Sequence, residues 1–291
     1  MEEFVECIKE SNIKVRPLLK WAGGKSKLLP LILPFLGQGD YLEPFLGSGA
    51  VAFAVQSNKM ILNDKNIKLM NFYEQVKNRP EKLHRKIVKY ASSFNCAPDK
   101  EVFFYETRAY YNDLTMVEYN NGLTHASLFW VINKTCFNGM YRETKGGDFN
   151  IPYGKRDCPI PDINDFLSVS RILKNCKLYH KPFDIICDMA KTGDTIYLDP
   201  PYIPISKTAG FSDYLRYGFG LDNHKKLCNL MQELSDRGVN VLMSNSSCDL
   251  VMDIYGGLKG FNFNKIQAHR FISGQAKGRG KVTELLISNR S

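Results

Sequence analysis

The chain has no Cys-x-x-Cys pair. Its eight cysteines stand apart at Cys7, Cys96, Cys136, Cys158, Cys176, Cys187, Cys228 and Cys248, and the five histidines do not cluster beside them. That spread argues against a disulfide framework and a zinc site, and points to a reduced, metal-free intracellular protein. Also missing is any apolar run near the ~20 residues that a membrane span needs. Residues 1–17 hold four glutamates and no apolar core, so they do not read as a signal peptide. No internal repeat or low-complexity tract is present. The turn Gly47-Ser48-Gly49 lacks the third glycine of Gly-x-Gly-x-x-Gly, which counts against a dinucleotide oxidoreductase.

What is present builds a sizeable globular protein. The 291 residues are 44% hydrophobic and 24% charged, enough for one large α/β domain or for one with a small insertion. The net charge of +9 favours a polyanionic partner. The most informative stretch is Asp199-Pro200-Pro201-Tyr202, directly after the β-type run Thr195-Ile196-Tyr197-Leu198. A carboxylate, two prolines and a flat ring at the end of a strand make a stiff holder for a planar amino group. The Asp199 side chain and the Pro200 carbonyl both accept hydrogen bonds, and the proline nitrogens carry no competing N–H. A rigid strand-to-loop turn without chemistry would use the same residue types.

A second segment, Tyr41-Leu42-Glu43-Pro44-Phe45-Leu46-Gly47-Ser48-Gly49-Ala50, reads as a strand, a glycine turn and a helix at about 49–57. Such a turn brings backbone close to a ligand. Asp64 ends the next apolar run, Met60 to Asn63. An acid there is placed either to hold ribose hydroxyls or to cap the following helix. Further strands are expected at about 176–180, 195–199 and 239–244, with a terminal hairpin from Phe261 to Ser288. Helices are expected at about 28–36, 66–78, 182–190 and 222–237. Between about 67 and 175 the chain reads as helical pieces and loops. Pro80 opens one helix there, with an apolar stripe of Leu83, Ile87, Val88 and Tyr90, and Ala126 to Asn133 forms another.

Six stretches occur in order across nearly the whole chain: Lys-Trp-Ala-Gly-Gly-Lys (20–25), Glu-Pro-Phe-Leu-Gly-Ser-Gly (43–49), Asn-Asp (63–64), Phe-Asn-Gly-Met-Tyr-Arg (137–142), Phe-Asn-Ile-Pro-Tyr-Gly (149–154) and Asp-Pro-Pro-Tyr (199–202). Together they resemble the Dam-type DNA adenine N6-methyltransferases. The resemblance implies an α/β, Rossmann-like S-adenosylmethionine-dependent methyltransferase fold, with a mixed sheet ending in a β-hairpin and an inserted, mainly helical DNA-recognition domain. Residues 1–66 and 176–291 would form the catalytic domain, and 67–175 the target-recognition domain. It implies a site-specific enzyme that methylates a flipped-out adenine in double-stranded DNA, within GATC or a related short site. The implied cofactor is S-adenosyl-L-methionine, with no metal. The implied setting is a cytoplasmic, monomeric, DNA-associated protein with no membrane partner.

By that resemblance Asp199, Pro200 and Tyr202 are catalytic, with Tyr202 stacking on the extruded adenine. The exocyclic nitrogen of adenine is a poor nucleophile because its lone pair is delocalised. Acceptors at its two hydrogens localise that pair, and alignment supplies most of the acceleration. C5-cytosine methylation needs a cysteine nucleophile instead, and the chain has no Pro-Cys dipeptide. Trp21, Lys25, Phe45, Gly47, Gly49, Asp64, Phe183 and Asp199 would bind the cofactor, Lys25 at its carboxylate and Asp64 at its ribose. Before Phe183 the family usually carries Asp or Ser; here stands Pro182, which leaves Asp184 as a substitute acceptor.

Basic residues interleaved with aromatics between 134 and 156 suit phosphates and base edges, although a charged structural loop has the same composition. Lys20 and Arg142 would read the guanine beside the target. Phe137, Asn138 and Met140 would support opening of the duplex, and Lys134, Lys155 and Arg156 would contact its outer half. The loop from Gly274 to Lys281 carries three cations and no acid. It is a solvated hairpin tip or a phosphate contact through Lys277 and Arg279.

Overall fold

The structure is a computed structural model that describes residues 15–55, 57, 59–114, 122–204, 219–270 and 280–290, with the backbone alone for 268–270 and 280–282. Its centre is a seven-stranded sheet. Strands β1 (Tyr41–Glu43), β2 (Met60–Asn63), β3 (Cys176–Tyr179), β4 (Thr195–Leu198), β5 (Asn240–Ser246), β6 (Asn262–Arg270) and β7 (Gly280–Ser288) lie in the order β3-β2-β1-β4-β5-β7-β6. β3, β2, β1, β4 and β5 are mutually parallel, and β7 runs antiparallel to both β5 and β6. This is the mixed sheet and terminal hairpin of the methyltransferase fold.

Every residue of β1 and of β4 is buried, as parallel strands covered on both faces should be. Alternation divides them between two apolar clusters. Tyr41, Tyr197, Leu242 and Leu286 enter one; Leu42, Ile196, Leu198, Val241, Met243 and Ile287 enter the other. The first cluster continues into a helical block: α2 (Ile67–Asn78), α3 (Pro80–Cys96), α4 (Lys100–Asp113), α5 (Gly122–Thr135) and α6 (Ile163–Leu173). The second is shared with α7 (Phe183–Asp188), α8 (Leu221–Asp236) and α9 (Asp249–Tyr255). Only α1 (Leu29–Ile32), a single turn before β1, precedes the sheet among the described residues. Pro34 has no N–H to continue that helix, and the chain tightens into a 3-10 turn over Leu33–Phe35.

Helix α5 is the hub of the helical block, packing against α2, α3 and α4. It is buried nearly all round, which explains its almost continuous apolar sequence from Ala126 to Ile132. On α3 the buried stripe is Leu83, Ile87, Ala91 and Phe94, with Val88 and Tyr90 half-buried beside it. Between α5 and α6 the chain doubles back through two isolated antiparallel bridges, Cys136 with Tyr153 and Glu143 with Phe149.

One expected element does not form. The stretch after Gly49 makes separate turns over 51–54 rather than the helix read at about 49–57. Gly47 and Gly49 both take left-handed backbone, with φ of 49° and 72°, so the segment begins with geometry that an α-helix cannot use. Phe53 and Val55 still donate to the carbonyls four residues back.

Strand order fixes where chemistry can occur. The chain builds β1, β2 and β3 outward in one direction, then returns to lay β4 on the other side of β1, with Leu42 opposite both Ile61 and Ile196. The carboxyl ends of β1 and β4 therefore flank a topological switch point, where open α/β sheets leave a crevice.

Candidate active site

Asp199 leaves β4 at this crevice. Its Oδ2 lies 2.8 Å from the Nζ of Lys25, whose side chain is 5% exposed. That ammonium also donates to the Gly23 carbonyl at 2.6 Å and sits 4.8 Å from the centre of the Tyr202 ring. The other carboxylate oxygen, Oδ1, is buried with no partner among the described residues. Burial raises the Asp199 pKa; Lys25 pulls it back, and Glu284 pushes it up further. A carboxylate anchored through one oxygen and open at the other is a ready hydrogen-bond acceptor.

The loop carrying Asp199 is held from three sides. From β5, Asn245 Oδ1 accepts from the Ile203 N–H at 3.3 Å and the Ser246 hydroxyl donates to the Ile203 carbonyl at 2.6 Å. From β7, Glu284 accepts from the Tyr202 hydroxyl at 2.8 Å. From α8, the buried His224 hydrogen-bonds the Pro201 backbone and lies 2.7 Å from the Tyr255 hydroxyl through Nδ1. Proline offers only a carbonyl, so His224 donates there through its other nitrogen, and Nδ1 accepts from Tyr255. Burial lowers the His224 pKa to about 4, which keeps the ring neutral.

The facing wall is the glycine turn after β1. Gly47 donates its N–H to Asp64 Oδ2 at 3.0 Å, and Asn66 donates to Oδ1 at 2.9 Å. Helix α2 is capped by Asn66, which accepts from the N–H groups of Lys68 and Leu69. Asp64 is thus tied to the glycine turn rather than spent as the cap. Burial raises its pKa, and the two backbone N–H groups offset part of that rise. A side chain at Gly47 would begin 2.9 Å from the Trp21 ring, which itself stacks on Tyr141 at 5.2 Å. One cavity joins these pieces, lined by Trp21 to Lys25, Glu43, Leu46 to Ser48, Ala50, Val51 and Asp199.

Beside it, Phe45 stacks on Phe183 at 5.5 Å, and Phe219 meets both rings. Asp184 is engaged by Lys226, which lowers its pKa. Of the residues expected at a cofactor, Trp21, Lys25, Gly47 and Asp199 share the cavity wall, Asp64 supports Gly47, and Gly49 closes the turn. Phe45 and Phe183 form the adjoining aromatic patch.

The expected DNA-facing residues fall into two groups. Lys20 is fixed to α5 by two bonds of 2.8 Å between its backbone and the Asn133 amide, and its side chain lies against Gly139. Lys134 and Arg156 are near enough to act electrostatically on Lys20. Burial, with Lys20, lowers the Lys134 pKa to about 8. Arg156 Nε is buried without a partner among the described residues. Phe137 is 39% exposed on the adjoining 3-10 turn, where Asn138 has left-handed backbone. Met140 is half-buried and packs against the core. The second group lies farther out: Arg142 is exposed and hydrogen-bonds Asn150, and Lys155 is exposed with a φ of 50°. Lys277 and Arg279 lie outside the described residues.

The family model described as D12 class N6 adenine-specific DNA methyltransferase matches residues 21–272. The chain belongs to this family. It is 35% identical to the type II methyltransferase M.MjaIII of Methanocaldococcus jannaschii over 95% of this chain and 100% of that one. With the type II methyltransferase M1.LlaDCHI of Lactococcus lactis subsp. cremoris it shares 32% identity over 98% and 99%. The DNA adenine methylase of Vibrio cholerae El Tor is 32% identical over 94% and 95%. It is a DNA adenine methyltransferase by family, and its substrate is DNA.

Three residues of this methyltransferase site escaped the sequence reading. Glu43 lines the cavity, 2% exposed, with its Oε2 accepting from Tyr41 at 2.8 Å; burial raises its pKa well above the ordinary value. Glu284 and His224 support the Asp199 loop. The available signal was an acid inside an apolar strand run, as in Tyr-Leu-Glu (41–43) and Val-Thr-Glu-Leu-Leu-Ile (282–287). Among the described residues no cluster of His, Cys, Asp or Glu could hold a metal, and no helix is long and apolar enough to cross a membrane.

Proposed function

We propose that this protein transfers a methyl group from S-adenosylmethionine to the N6 atom of an adenine rotated out of double-stranded DNA, within GATC or a related short site. The observation that carries the reading is Asp199: one oxygen tied to Lys25, the other buried beside the cavity and without a hydrogen-bond partner among the described residues.

The residues lining the crevice suit such a cofactor. Lys25 uses two of its three N–H groups on Asp199 and Gly23, leaving one for a carboxylate. Each Asp64 oxygen takes one backbone N–H and keeps a second lone pair for a ribose hydroxyl. Trp21, Gly47 and Gly49 shape the walls, and Phe45 and Phe183 offer flat apolar faces. Bound there, S-adenosylmethionine supplies an electrophilic methyl group whose C–S electron pair returns to sulfur.

The protein's share is placement. Asp199 Oδ1 and the Pro200 carbonyl accept the two N–H bonds of the amino group, so its lone pair is localised and available to the methyl carbon. After the N–C bond forms, N6 carries a positive charge and sheds one proton to solvent water. Asp199 stabilises that charge before the proton leaves. Tyr202 stacks on the base, which offsets part of the few kcal/mol spent in unstacking it. Residues 67–175 serve as the target-recognition region, with Lys20 and Arg142 on the guanine beside the target, Phe137 and Asn138 at the opened pair, and Lys134, Lys155 and Arg156 toward the outer half. Residues 1–66 and 176–291 serve as the catalytic domain.

The test is plasmid DNA incubated with the protein and S-adenosylmethionine, then mapped by single-molecule sequencing. Modified adenines confined to GATC or a one-base relative are expected. Modification of cytosine, or of adenine regardless of its neighbours, would refute the reading.

A further inference from the structure

Glu284 is a carboxylate in the middle of an apolar strand. It is 8% exposed on β7, among Leu285, Leu286 and Ile287, all of them buried. An apolar side chain would pack this strand without the cost of drying a charge, so the acid at this position calls for an explanation. The antiparallel pairing of β7 with β5 sets Glu284 opposite Ser246, at the carboxyl end of the parallel strands. From there its Oε2 accepts the Tyr202 hydroxyl proton at 2.8 Å. The same Ser246 holds the carbonyl of Ile203, the residue after Tyr202. Across the ring, the Lys25 ammonium lies 4.8 Å from its centre. A tyrosine on a loop would otherwise sample several rotamers; here its hydroxyl end and its backbone are both fixed.

We propose that Glu284 is a positioning residue for methyl transfer, which fixes through the Tyr202 hydroxyl the plane of the ring that receives the target base. The inference rests on the reading of Tyr202 as the stacking partner of the adenine. Glu284 acts without touching substrate, through the 2.8 Å bond its carboxylate accepts from the Tyr202 hydroxyl, a hydroxyl that also acts on the Asp199 carboxyl.

The test is a double-mutant cycle in the full-length protein, with single-turnover methylation of a duplex and 2-aminopurine fluorescence at the target position as readouts. Glu284→Ala is expected to slow single-turnover transfer about tenfold to a hundredfold, the size of a lost hydrogen bond to a buried charge. Glu284→Gln, which keeps an acceptor, recovers most of that loss. Tyr202→Phe is expected to slow transfer at least as much as Glu284→Ala, and the double variant to be no slower than Tyr202→Phe. Thermal melts with S-adenosylmethionine titrations establish that each variant is folded and binds cofactor. A full additional loss on Glu284→Ala in the Tyr202→Phe background would overturn the proposal, as would an undiminished rate in Glu284→Ala alone. Failure of the underlying reading shows elsewhere: Tyr202→Ala with unchanged 2-aminopurine fluorescence, in a protein that keeps Glu284, means that the ring does not receive the base.

Discussion

At the residue scale the site is a set of buried carboxylates answered by one ammonium. Asp199 is the stronger acceptor, and the better partner for a developing positive charge, when ionised, and burial raises its pKa above the ordinary 3.8. Transfer should therefore fall as pH is lowered, along a limb above that of an exposed carboxylate; a rate constant followed from neutral pH down into the ordinary carboxylate range reads it directly. A limb at or below 3.8 would mean that Lys25 dominates the local field. Glu43 gives a second prediction, in stability. Its folded-state pKa is raised well above 4.5 by burial. The protonated acid is therefore the form that folding favours, and this contribution is present at low pH and lost as pH rises through the folded value. Glu43→Gln removes the buried charge, so thermal melts should place the variant above the parent at pH 8, with the gap closing in acid. A gap that widened in acid would have the wrong sign.

At the scale of elements, function follows from β1 and β4 being neighbours although more than 100 residues separate them. The turns after both strands meet at one edge, and the glycines make the first turn possible. Gly47→Ala adds a methyl group 2.9 Å from the Trp21 ring at a φ of 49°. It should cost about 1–3 kcal/mol in a denaturation curve and weaken cofactor binding, through strain and a displaced Trp21. A variant with unchanged melting and cofactor affinity would remove Gly47 from the wall. Much of this edge is legible in the chain itself, because Asp199, Pro200 and Gly47 stand in short contiguous motifs. Glu284, His224 and Ser246 are not, since they meet the Asp199 loop only through strand pairing and helix packing. The missing helix after Gly49 shows the opposite limit. Its apolar residues, Val51, Ala52 and Phe53, are buried, but the left-handed glycines decide the backbone.

At the scale of the whole molecule, a net charge of +9 meets a polyanion, and part of it is gathered at Lys20, Lys134 and Arg156. DNA affinity should fall with salt at a slope of about −0.9 per phosphate neutralised. The Lys134 pKa is lowered to about 8, so its charge is present below that value and lost above it. The slope should be shallower at pH 9 than at pH 7, and Lys134→Ala should show the shallower slope at both; equal slopes for the parent at the two pH values would take Lys134 out of the contact. The central claim is tested most directly by nucleoside mass spectrometry of duplex DNA incubated with isotopically labelled S-adenosylmethionine and either the parent protein or Asp199→Ala. The expected result is labelled N6-methyladenine from the parent and none from Asp199→Ala, with much of the DNA affinity of that variant retained. Labelled N6-methyladenine formed at near-parental rate by Asp199→Ala would contradict it.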